Sequence, residues 1–357
     1  MPGVYISYPF CTQKCTFCNF ASDVYSREAR ERYEQILLKE VNGYEWSWQP
    51  DTIYLGGGTP SVMPTGLLRE LMGAIPNGRL REVTIECAPG TITRESVDVW
   101  RECGINRVSL GVQSLVTQEL RQVGRRHTAE LVQAEIQLLR ESGISNINID
   151  LIAGLPGQTR ESWAESLEWV ERISPPHVSV YIFEVDEDSR LGKEVILGSA
   201  RYGANCVPDD ELVAELYESA VECLHGLVIE RYEISNFARP GWESRHNLKY
   251  WNLEPYVGFG LDAHSFDGKR RWSNPDTLEN YFAGRQVAFT SCDAAEEHFF
   301  VGLRLMKGIE PSREEWVRFE QPIQKWVGLG MLKKDGLRLR LSSRAVLISN
   351  EIFQEFL

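Results

Sequence analysis

Ile147-Asn148-Ile149-Asp150-Leu151-Ile152 is a short apolar and β-branched run that ends just before Gly154-Leu155-Pro156. Such a run is typical of a strand in a parallel sheet, where both faces are covered. Amphipathic helical stretches separate it from other runs of the same kind, and this alternation predicts an α/β domain with a parallel sheet. The strand candidates are Val4–Ser7, Thr52–Leu55, Glu82–Glu86, Arg107–Gly111, Asn146–Ile152 and Val178–Phe183. The helix candidates between them are Arg27–Asn42, Thr65–Ala74, Arg94–Glu102, Ala129–Glu141 and Arg160–Glu171.

Polar and glycine-rich signals follow the carboxyl ends of these strands. Cys11 follows the first strand, and Gly56-Gly57-Gly58-Thr59-Pro60 follows the second. Glu86 closes the third strand, Gln113 follows the fourth, and Asp150 lies near the end of the fifth. Parallel α/β barrels build their active sites at that face from several different strands. Six strand–helix units of a possible eight predict a partial, open barrel with a site on its rim.

The rest of the chain predicts two further parts. We expect the barrel to occupy residues 1–231, an aromatic and glycine-rich bridging segment residues 232–291, and a small winged-helix-like α+β domain residues 292–357. The barrel part should end with a long helix, Asp209–His225. The tail should contain helices at Glu296–Met306, Arg313–Trp326 and Arg344–Phe356 and a strand pair that includes Leu337–Leu341.

Composition and charge limit the possible partners. The chain has 357 residues, a hydrophobic content of 43% and a formal net charge of −13. Phosphate binding needs a basic surface, so the negative charge argues against nucleic acid as the main partner. No run of about 18 apolar residues is present, so we expect no membrane-spanning helix, although peripheral membrane association stays open. Strand-like sequence begins almost at Met1 without a signal segment, and we expect a cytoplasmic location.

Three closely spaced cysteines, Cys11, Cys15 and Cys18, carry the strongest chemical signal. In a reducing compartment such spacing indicates metal binding or redox chemistry rather than disulfides. Three ligands are one short of a closed structural zinc site or an all-cysteine iron–sulfur cluster. Zinc with a distant fourth ligand, for instance His127 or His264, stays open alongside a cluster with one open iron. The other five cysteines are scattered and are expected to be small buried apolar residues.

The cysteine triplet resembles the signature of the radical S-adenosylmethionine family. In that family the open iron of a [4Fe-4S] cluster is chelated by the amino and carboxylate groups of S-adenosylmethionine. The run Gly56–Pro60 is similar to the family segment that meets the methionine amino group through its backbone, where glycine permits a close approach. The two motifs together favour the iron–sulfur interpretation over zinc.

Over nearly the whole chain the sequence resembles one branch of this family, which contains oxygen-independent coproporphyrinogen III oxidase and the radical haem chaperones. The matching stretches are Thr84–Gly90, Gly104–Ser114, Gly124–His127, Asn148–Pro156 and Gly258–Ser265. The resemblance implies that eight residues contact S-adenosylmethionine: Tyr5, Gly57, Gly58, Thr59, Glu86, Gln113, Arg125 and Asp150. Carboxylates suit ribose hydroxyls, and an arginine suits the cofactor carboxylate.

Two features resemble the chaperone group rather than the oxidase. The oxidase carries a fourth cysteine where this chain has Phe20, and the chaperone group usually has aspartate where Asn19 stands. The run Arg245–Trp251 is similar to the haem-associated motif of the chaperones, which implies a haem site at His246, Asn247, Tyr250 and Trp251. Imidazole is a common axial ligand and aromatic rings can stack on a porphyrin. A purely structural role for this motif is the alternative, and His264 is a second candidate ligand.

The resemblance implies a haem chaperone that binds a [4Fe-4S] cluster and S-adenosylmethionine and passes haem to an apo-haemoprotein. Whether it is also an enzyme stays open. One alternative is oxidative decarboxylation of coproporphyrinogen III to protoporphyrinogen IX, which needs cations for the propionates. Others are a radical enzyme acting on a tetrapyrrole, such as a ring-opening methyltransferase, and a zinc-stabilised binding protein.

Overall fold

The computed structural model describes residues 1–285 and 289–357. Its strands are β1 (Gly3–Tyr8), β2 (Thr52–Gly57), β3 (Glu82–Cys87), β4 (Arg107–Gln113), β5 (Asn146–Ala153), β6 (His177–Ile182), β7 (Glu230–Arg231), β8 (Asn236–Ala238), β9 (Tyr256–Phe259), β10 (His264–Phe266), β11 (Arg270–Ser273), β12 (Thr290–Ser291), β13 (Leu332–Asp335) and β14 (Arg338–Leu341). Its helices are α1 (Arg27–Asn42), α2 (Thr65–Ala74), α3 (Arg94–Glu102), α4 (Thr117–Gln122), α5 (Ala129–Glu141), α6 (Arg160–Ile173), α7 (Arg190–Ile196), α8 (Asp210–Gly226), α9 (Arg245–Trp251), α10 (Leu278–Phe282), α11 (Ala294–Phe300), α12 (Arg313–Arg318), α13 (Glu320–Gly328) and α14 (Ser349–Gln354).

Strands β1 to β6 form the parallel centre of one twelve-stranded sheet, in sequential order. The sheet continues past β1 through β9, β10, β11 and β12, and past β6 through β8 and β7. β9 runs parallel to β1, whereas β10, β11 and β8 run antiparallel to their neighbours. The prediction of an open parallel β/α barrel is therefore confirmed, with short edge strands that the sequence did not reveal.

Local signals fix the helices between the central strands. Ser26 caps α1, and Thr93 and Thr159 begin α3 and α6 with reciprocal capping boxes to Ser96 and Ser162. These caps satisfy backbone N–H groups that a helix start leaves unpaired. The outward side chains of the strands and the inner faces of the helices form one continuous apolar core, which includes Val4, Ile53, Ile85, Val108, Ile149 and Val178.

The other face of the central strands lines a polar barrel interior. Arg107 and His177 are buried there near the amino ends of their strands. Asn148 donates to the Ser109 hydroxyl at 2.7 Å and to the Asp150 carboxylate at 2.6 Å. Because side chains alternate across a strand, this polar set reaches the carboxyl rim, where Asp150 lies.

The tail confirms the expected helices around a strand pair but corrects their lengths. β13 and β14 form an antiparallel hairpin, and Phe299, Phe319 and Phe356 pack together behind it. The predicted helix Glu296–Met306 ends at Phe300 and is followed by a separate 3₁₀ turn over Gly302–Arg304. The division of the chain at residues 231 and 291 stays a prediction.

Two more predicted tail helices are broken. The prediction of one helix over Arg313–Trp326 is wrong, because the chain restarts at α13 with Pro322 in its first turn, where the missing N–H costs nothing. The predicted helix Arg344–Phe356 consists of a 3₁₀ turn over Ser343–Ile348 followed by α14. In the described ranges, none of the helices has both the length and the apolar character needed to cross a lipid bilayer.

Candidate functional site

The cysteine-bearing loop follows β1 at the carboxyl edge of the sheet and is anchored from several sides. Its start forms a bridge in which Cys11 N–H donates to the Asp23 carbonyl at 3.0 Å. In its middle, Thr16 N–H donates to the Val123 carbonyl, and Leu191 N–H donates to the Thr16 carbonyl at 2.8 Å. Arg190 donates to the Cys15 carbonyl from α7. Hydrogen bonds from several elements therefore hold the loop that carries the thiols.

Each of the three cysteine thiols has polar neighbours. Burial raises the pKa of Cys11, while the Thr59 and Ser22 hydroxyls act in the opposite direction. The Cys18 sulfur lies 3.8 Å from the Ser22 hydroxyl. Arg125 Nε donates to the Cys15 sulfur at 3.0 Å. Donors aimed at sulfur stabilise a thiolate, which is the form that binds metal.

The chemistry of the three thiols suits them to an iron–sulfur cluster rather than to a single metal ion. Among residues 1–285 and 289–357, no three or more His, Cys, Asp or Glu side chains converge on a point that could hold a single metal ion. A cubane does not require such convergence, because each thiolate binds a different iron. Cys11, Cys15 and Cys18 nevertheless lie close enough for the charges of Cys15 and Cys18 to affect the Cys11 thiol. The serine and arginine donors supply the hydrogen bonds to sulfur that iron–sulfur sites use.

The glycine run after β2 supports the cysteine loop directly. Gly58 N–H donates to the Tyr8 carbonyl at 2.9 Å, and Thr59 N–H donates to the Phe10 carbonyl at 3.0 Å. A Cβ on Gly58 would lie 2.8 Å from the Pro9 carbonyl carbon, and Gly57 has a φ of +108°. Glycine is therefore needed here for backbone-to-backbone approach, a reason that the sequence analysis did not foresee.

Glu86 connects this run to the barrel interior. Its carboxylate accepts from the Tyr54 hydroxyl at 2.8 Å and from Gly57 N–H at 3.2 Å. Burial raises the pKa of Glu86 to about 7, the Tyr54 hydrogen bond opposes the rise, and Asp150 adds to it. Tyr5 stacks on Tyr54 with ring centroids 6.1 Å apart. Tyr5, Gly57 and Glu86 thus lie together at the rim.

The remaining predicted cofactor residues lie on β4, β5 and the loop before α5. Burial raises the pKa of Asp150, against the hydrogen bonds from Ser179, Asn148 and Ser109. Gln113 has a φ of +73° at a bulge in the β4–β5 pairing. A non-glycine residue in that region costs about 1–3 kcal/mol, and such strain concentrates at functional sites. Arg125 donates to the Gly111 carbonyl as well as to Cys15, so it already bridges β4 and the cysteine loop.

The predicted haem motif lies at the opposite end of the barrel. His246 is 0% exposed. Its Nδ1 is 2.8 Å from the Thr52 hydroxyl, and its Nε2 is 2.8 Å from the Tyr250 hydroxyl. Asn247 and Trp251 are partly buried on the same short helix, α9. In this conformation both imidazole nitrogens are occupied, so iron ligation by His246 stays a prediction that requires the helix to move.

The two histidines named as zinc or haem alternatives differ sharply. His127 is buried, its Nε2 lies 3.0 Å from the Val112 carbonyl, and burial lowers its pKa to about 4. His264 is exposed and begins β10. Among the scattered cysteines, Cys87 is buried as expected. Cys103, Cys223 and Cys292 are only partly buried, and the expectation is wrong for Cys206, which is exposed.

Sequence comparisons with known proteins identify the family to which the chain belongs. The family model described as the Radical SAM superfamily matches residues 5–170. A curated protein of Bacillus subtilis named haem chaperone HemW is 32% identical, with 100% of this chain and 99% of that protein covered. The Lactococcus lactis protein of the same name is 30% identical, with 99% and 97% covered. The chain belongs to the HemW family of radical S-adenosylmethionine proteins.

The solved structure of Escherichia coli coproporphyrinogen III oxidase has the same fold, with a TM-score of 0.84 over 99% of this chain and 90% of that one. At 22% identity this likeness concerns the fold alone. Membership of the radical S-adenosylmethionine superfamily carries with it a [4Fe-4S] cluster and S-adenosylmethionine, as the sequence motifs indicated. The family thus favours the iron–sulfur interpretation over the zinc interpretation.

Some site residues had no signal in the sequence. Ser22 and Tyr54 contact Cys18 and Glu86, yet each is an ordinary residue type in an ordinary context. Asp186 accepts from the Asn19 amide at 2.5 Å, across 167 positions of sequence. Long-range pairs of this kind become visible only when the loops that carry them are placed side by side.

Proposed function

We propose that the protein is a haem chaperone, which binds haem and passes it to an apo-haemoprotein. The observation that carries the proposal is the full-length similarity to two HemW proteins at 30% and 32% identity. Phe20 supports it, because this exposed side chain stands where the oxidase branch carries an additional cysteine. The free state of all eight cysteines is compatible with a reducing, cytoplasmic location.

We assign the three cysteines to the cluster, with Arg125 and the Ser22 and Thr59 hydroxyls supporting their sulfurs. Tyr5, Gly57, Gly58, Thr59, Glu86, Gln113, Arg125 and Asp150 are assigned to S-adenosylmethionine. When bound, the cluster and its cofactor supply an electron and a source of radical chemistry. The chain itself orients both groups, and Glu86 can hold a proton near neutral pH at its carboxylate.

A second candidate is coproporphyrinogen oxidation, favoured by the fold shared with the Escherichia coli oxidase. It predicts decarboxylation of propionate side chains and vinyl products. Phe20 argues against it. To separate the two functions, the reconstituted protein is incubated anaerobically with coproporphyrinogen III and the porphyrins are analysed by chromatography. Formation of vinyl product would favour the oxidase function over the chaperone function.

The test of the chaperone function uses the same reconstituted protein. Haemin is titrated into it under argon, and the haem-loaded protein is then mixed with apomyoglobin. We expect a saturable Soret band in the titration. After mixing, holomyoglobin should form faster from the haem-loaded protein than from haemin bound to albumin. A spectrum that stays that of free haemin at every protein concentration would overturn the proposal.

A further inference from the structure

A row of polar side chains crosses the barrel interior beneath Asp150. The strand register places Ser109 of β4 opposite Asn148 of β5, and Asn148 opposite His177 of β6. Asn148 is 2% exposed and His177 is 0% exposed. Because side chains alternate along a strand, Asp150 lies on the same face as Asn148, two residues closer to the rim. The carboxylate predicted to contact S-adenosylmethionine therefore lies directly above a buried polar row.

The hydrogen bonds of this row fix the orientation of the Asn148 amide. Its Nδ2 donates to Asp150 Oδ1 at 2.6 Å and to the Ser109 hydroxyl at 2.7 Å. The Ser109 hydroxyl lies 3.3 Å from Asp150 Oδ2 and donates to it. An ionised carboxylate only accepts, so Asn148 must turn its N–H groups toward Asp150 and its oxygen away. On that other side, Asn148 Oδ1 lies 2.6 Å from His177 Nδ1.

The two neighbours of His177 determine its tautomer. Burial lowers the pKa of His177 well below its usual range, and Arg107 adds to the effect, so the imidazole is neutral. Its Nδ1 faces an acceptor and must carry the proton, which leaves the lone pair on Nε2. The Tyr232 hydroxyl lies 2.9 Å from Nε2, and burial raises the pKa of Tyr232, so this hydroxyl keeps its proton and donates.

The far end of the chain of hydrogen bonds is anchored to main-chain groups. The Tyr232 hydroxyl accepts from the N–H of Ser244, the N-cap of α9, at 3.3 Å. The Tyr232 carbonyl accepts from Met306 N–H of the tail at 3.0 Å. The position of Tyr232 is thus set by two segments outside the row, and His177 links it to Asn148.

All of these hydrogen bonds point in one direction. They run from Ser244 N–H through Tyr232, His177 and Asn148 to the Asp150 carboxylate. Hydrogen bonds in such a series polarise one another, which strengthens the last one. A carboxylate offers about four lone-pair sites, so donors from the interior leave Asp150 able to accept from hydroxyl groups of a ligand at the rim.

We propose that His177 is a positioning residue, which acts through Asn148 to hold the Asp150 carboxylate in the orientation that receives the hydroxyl groups of S-adenosylmethionine. The inference rests on the proposed assignment of Asp150 to this cofactor. Without the His177 donor, the Asn148 amide is free to turn, and its oxygen then opposes the carboxylate. Tyr232 supports the arrangement because its hydroxyl holds the proton of His177 on Nδ1.

The experiment is a calorimetric titration of S-adenosylmethionine into the anaerobic, cluster-reconstituted full-length protein. We expect His177→Leu to weaken binding about tenfold, which is the order of one lost hydrogen bond to a charged group. His177→Asn should recover most of the affinity, because an asparagine amide N–H can replace Nδ1–H. Tyr232→Phe should weaken binding less than His177→Leu. Tyr217→Phe is the matched control, since its buried hydroxyl donates to the Ile234 carbonyl outside this chain, and it should leave the affinity unchanged.

Two further variants separate this inference from the cofactor assignment. Wild-type affinity in Asp150→Asn would remove Asp150 from the cofactor site. If Asp150→Asn weakens binding and His177→Leu does not, the positioning role is wrong while the assignment stands. The double variant Asp150→Asn/His177→Leu should bind no more weakly than Asp150→Asn alone, because the two residues act as one unit. Fully additive losses would overturn the role.

A spectroscopic measurement tests the tautomer without any ligand. Nitrogen-15 resonances of the imidazoles, assigned with His177→Asn, should show His177 protonated on Nδ1 and bare on Nε2. The opposite tautomer would contradict the direction of the chain and overturn the proposal. Urea unfolding shows whether each variant is folded. If His177→Leu does not fold, the affinity of Tyr232→Phe and the tautomer of the wild type decide.

Discussion

Replacing Gly58 by alanine tests whether the glycine run supports the cysteine loop. The added Cβ would lie 2.8 Å from the Pro9 carbonyl carbon, 2.9 Å from Phe10 N and 3.0 Å from Phe10 O. All three are backbone atoms of Pro9 and Phe10, the two residues before Cys11, so no side-chain rotation can relieve the overlap. Overpacking of this kind costs about 1–3 kcal/mol and shifts the backbone. Gly58→Ala should therefore destabilise the apo-protein by that amount and move the first cluster ligand.

Urea unfolding and iron–sulfide analysis after anaerobic reconstitution measure the two effects. Gly73→Ala on α2 is the matched control, because no atom lies within 4 Å of the added Cβ. In a helix this change should stabilise by roughly 0.5–1 kcal/mol and leave cluster content unchanged. A Gly58→Ala protein with wild-type unfolding midpoint and full iron and sulfide would refute the view that the glycines serve the cysteine loop.

Three other predictions concern the same edge of the sheet. Asn19→Asp should place a second carboxylate beside Asp186, and the repulsion should speed iron loss to a chelator several-fold. The double variant Asn19→Asp/Asp186→Asn should restore the wild-type rate, because it exchanges the donor and the acceptor. Glu86 has a pKa of about 7 in the folded protein against 4.5 ordinarily, so the folded form holds its proton longer. Apo-protein stability should fall by up to about 3 kcal/mol between pH 4.5 and 7, and Glu86→Gln should flatten that part of the urea-midpoint profile. Cys11→Ser should leave the reconstituted protein with less than half of the wild-type iron and inorganic sulfide, and equal content would contradict its assignment as a ligand.

The central strands and their helices could be read from sequence because their signals are local. The side chains of β5 are apolar on the face toward the helices and polar on the face toward the barrel interior. The helix Arg27–Asn42 follows a serine cap and ends at a glycine. Parallel strands covered on both faces need such composition wherever they occur. The helix bounds Thr65–Ala74 and Ala129–Glu141 were likewise predicted residue for residue.

The edge strands could not be predicted because their partners are distant. β9 has only four residues, and it is a strand because it pairs with β1, which is adjacent in space but distant in sequence. The break between α12 and α13 is different, because Pro322 within Arg313–Trp326 is a local sequence feature that indicates a new helix start. Short segments thus take their conformation from tertiary context, while proline acts locally.

The two histidines illustrate what a motif can and cannot convey. His246 and His264 both lie in stretches that match the same branch, and residue identity gives each an imidazole. Whether an imidazole can bind iron depends on its free lone pair, and that is set by neighbours such as Thr52 and Tyr250. The contacts of His246 with Thr52 and Glu82 place it at the amino ends of β2 and β3, whereas the pairing of β9 and β10 places His264 near the carboxyl end of β1. A matched motif therefore selects candidates, and which of the two imidazoles binds iron stays a prediction.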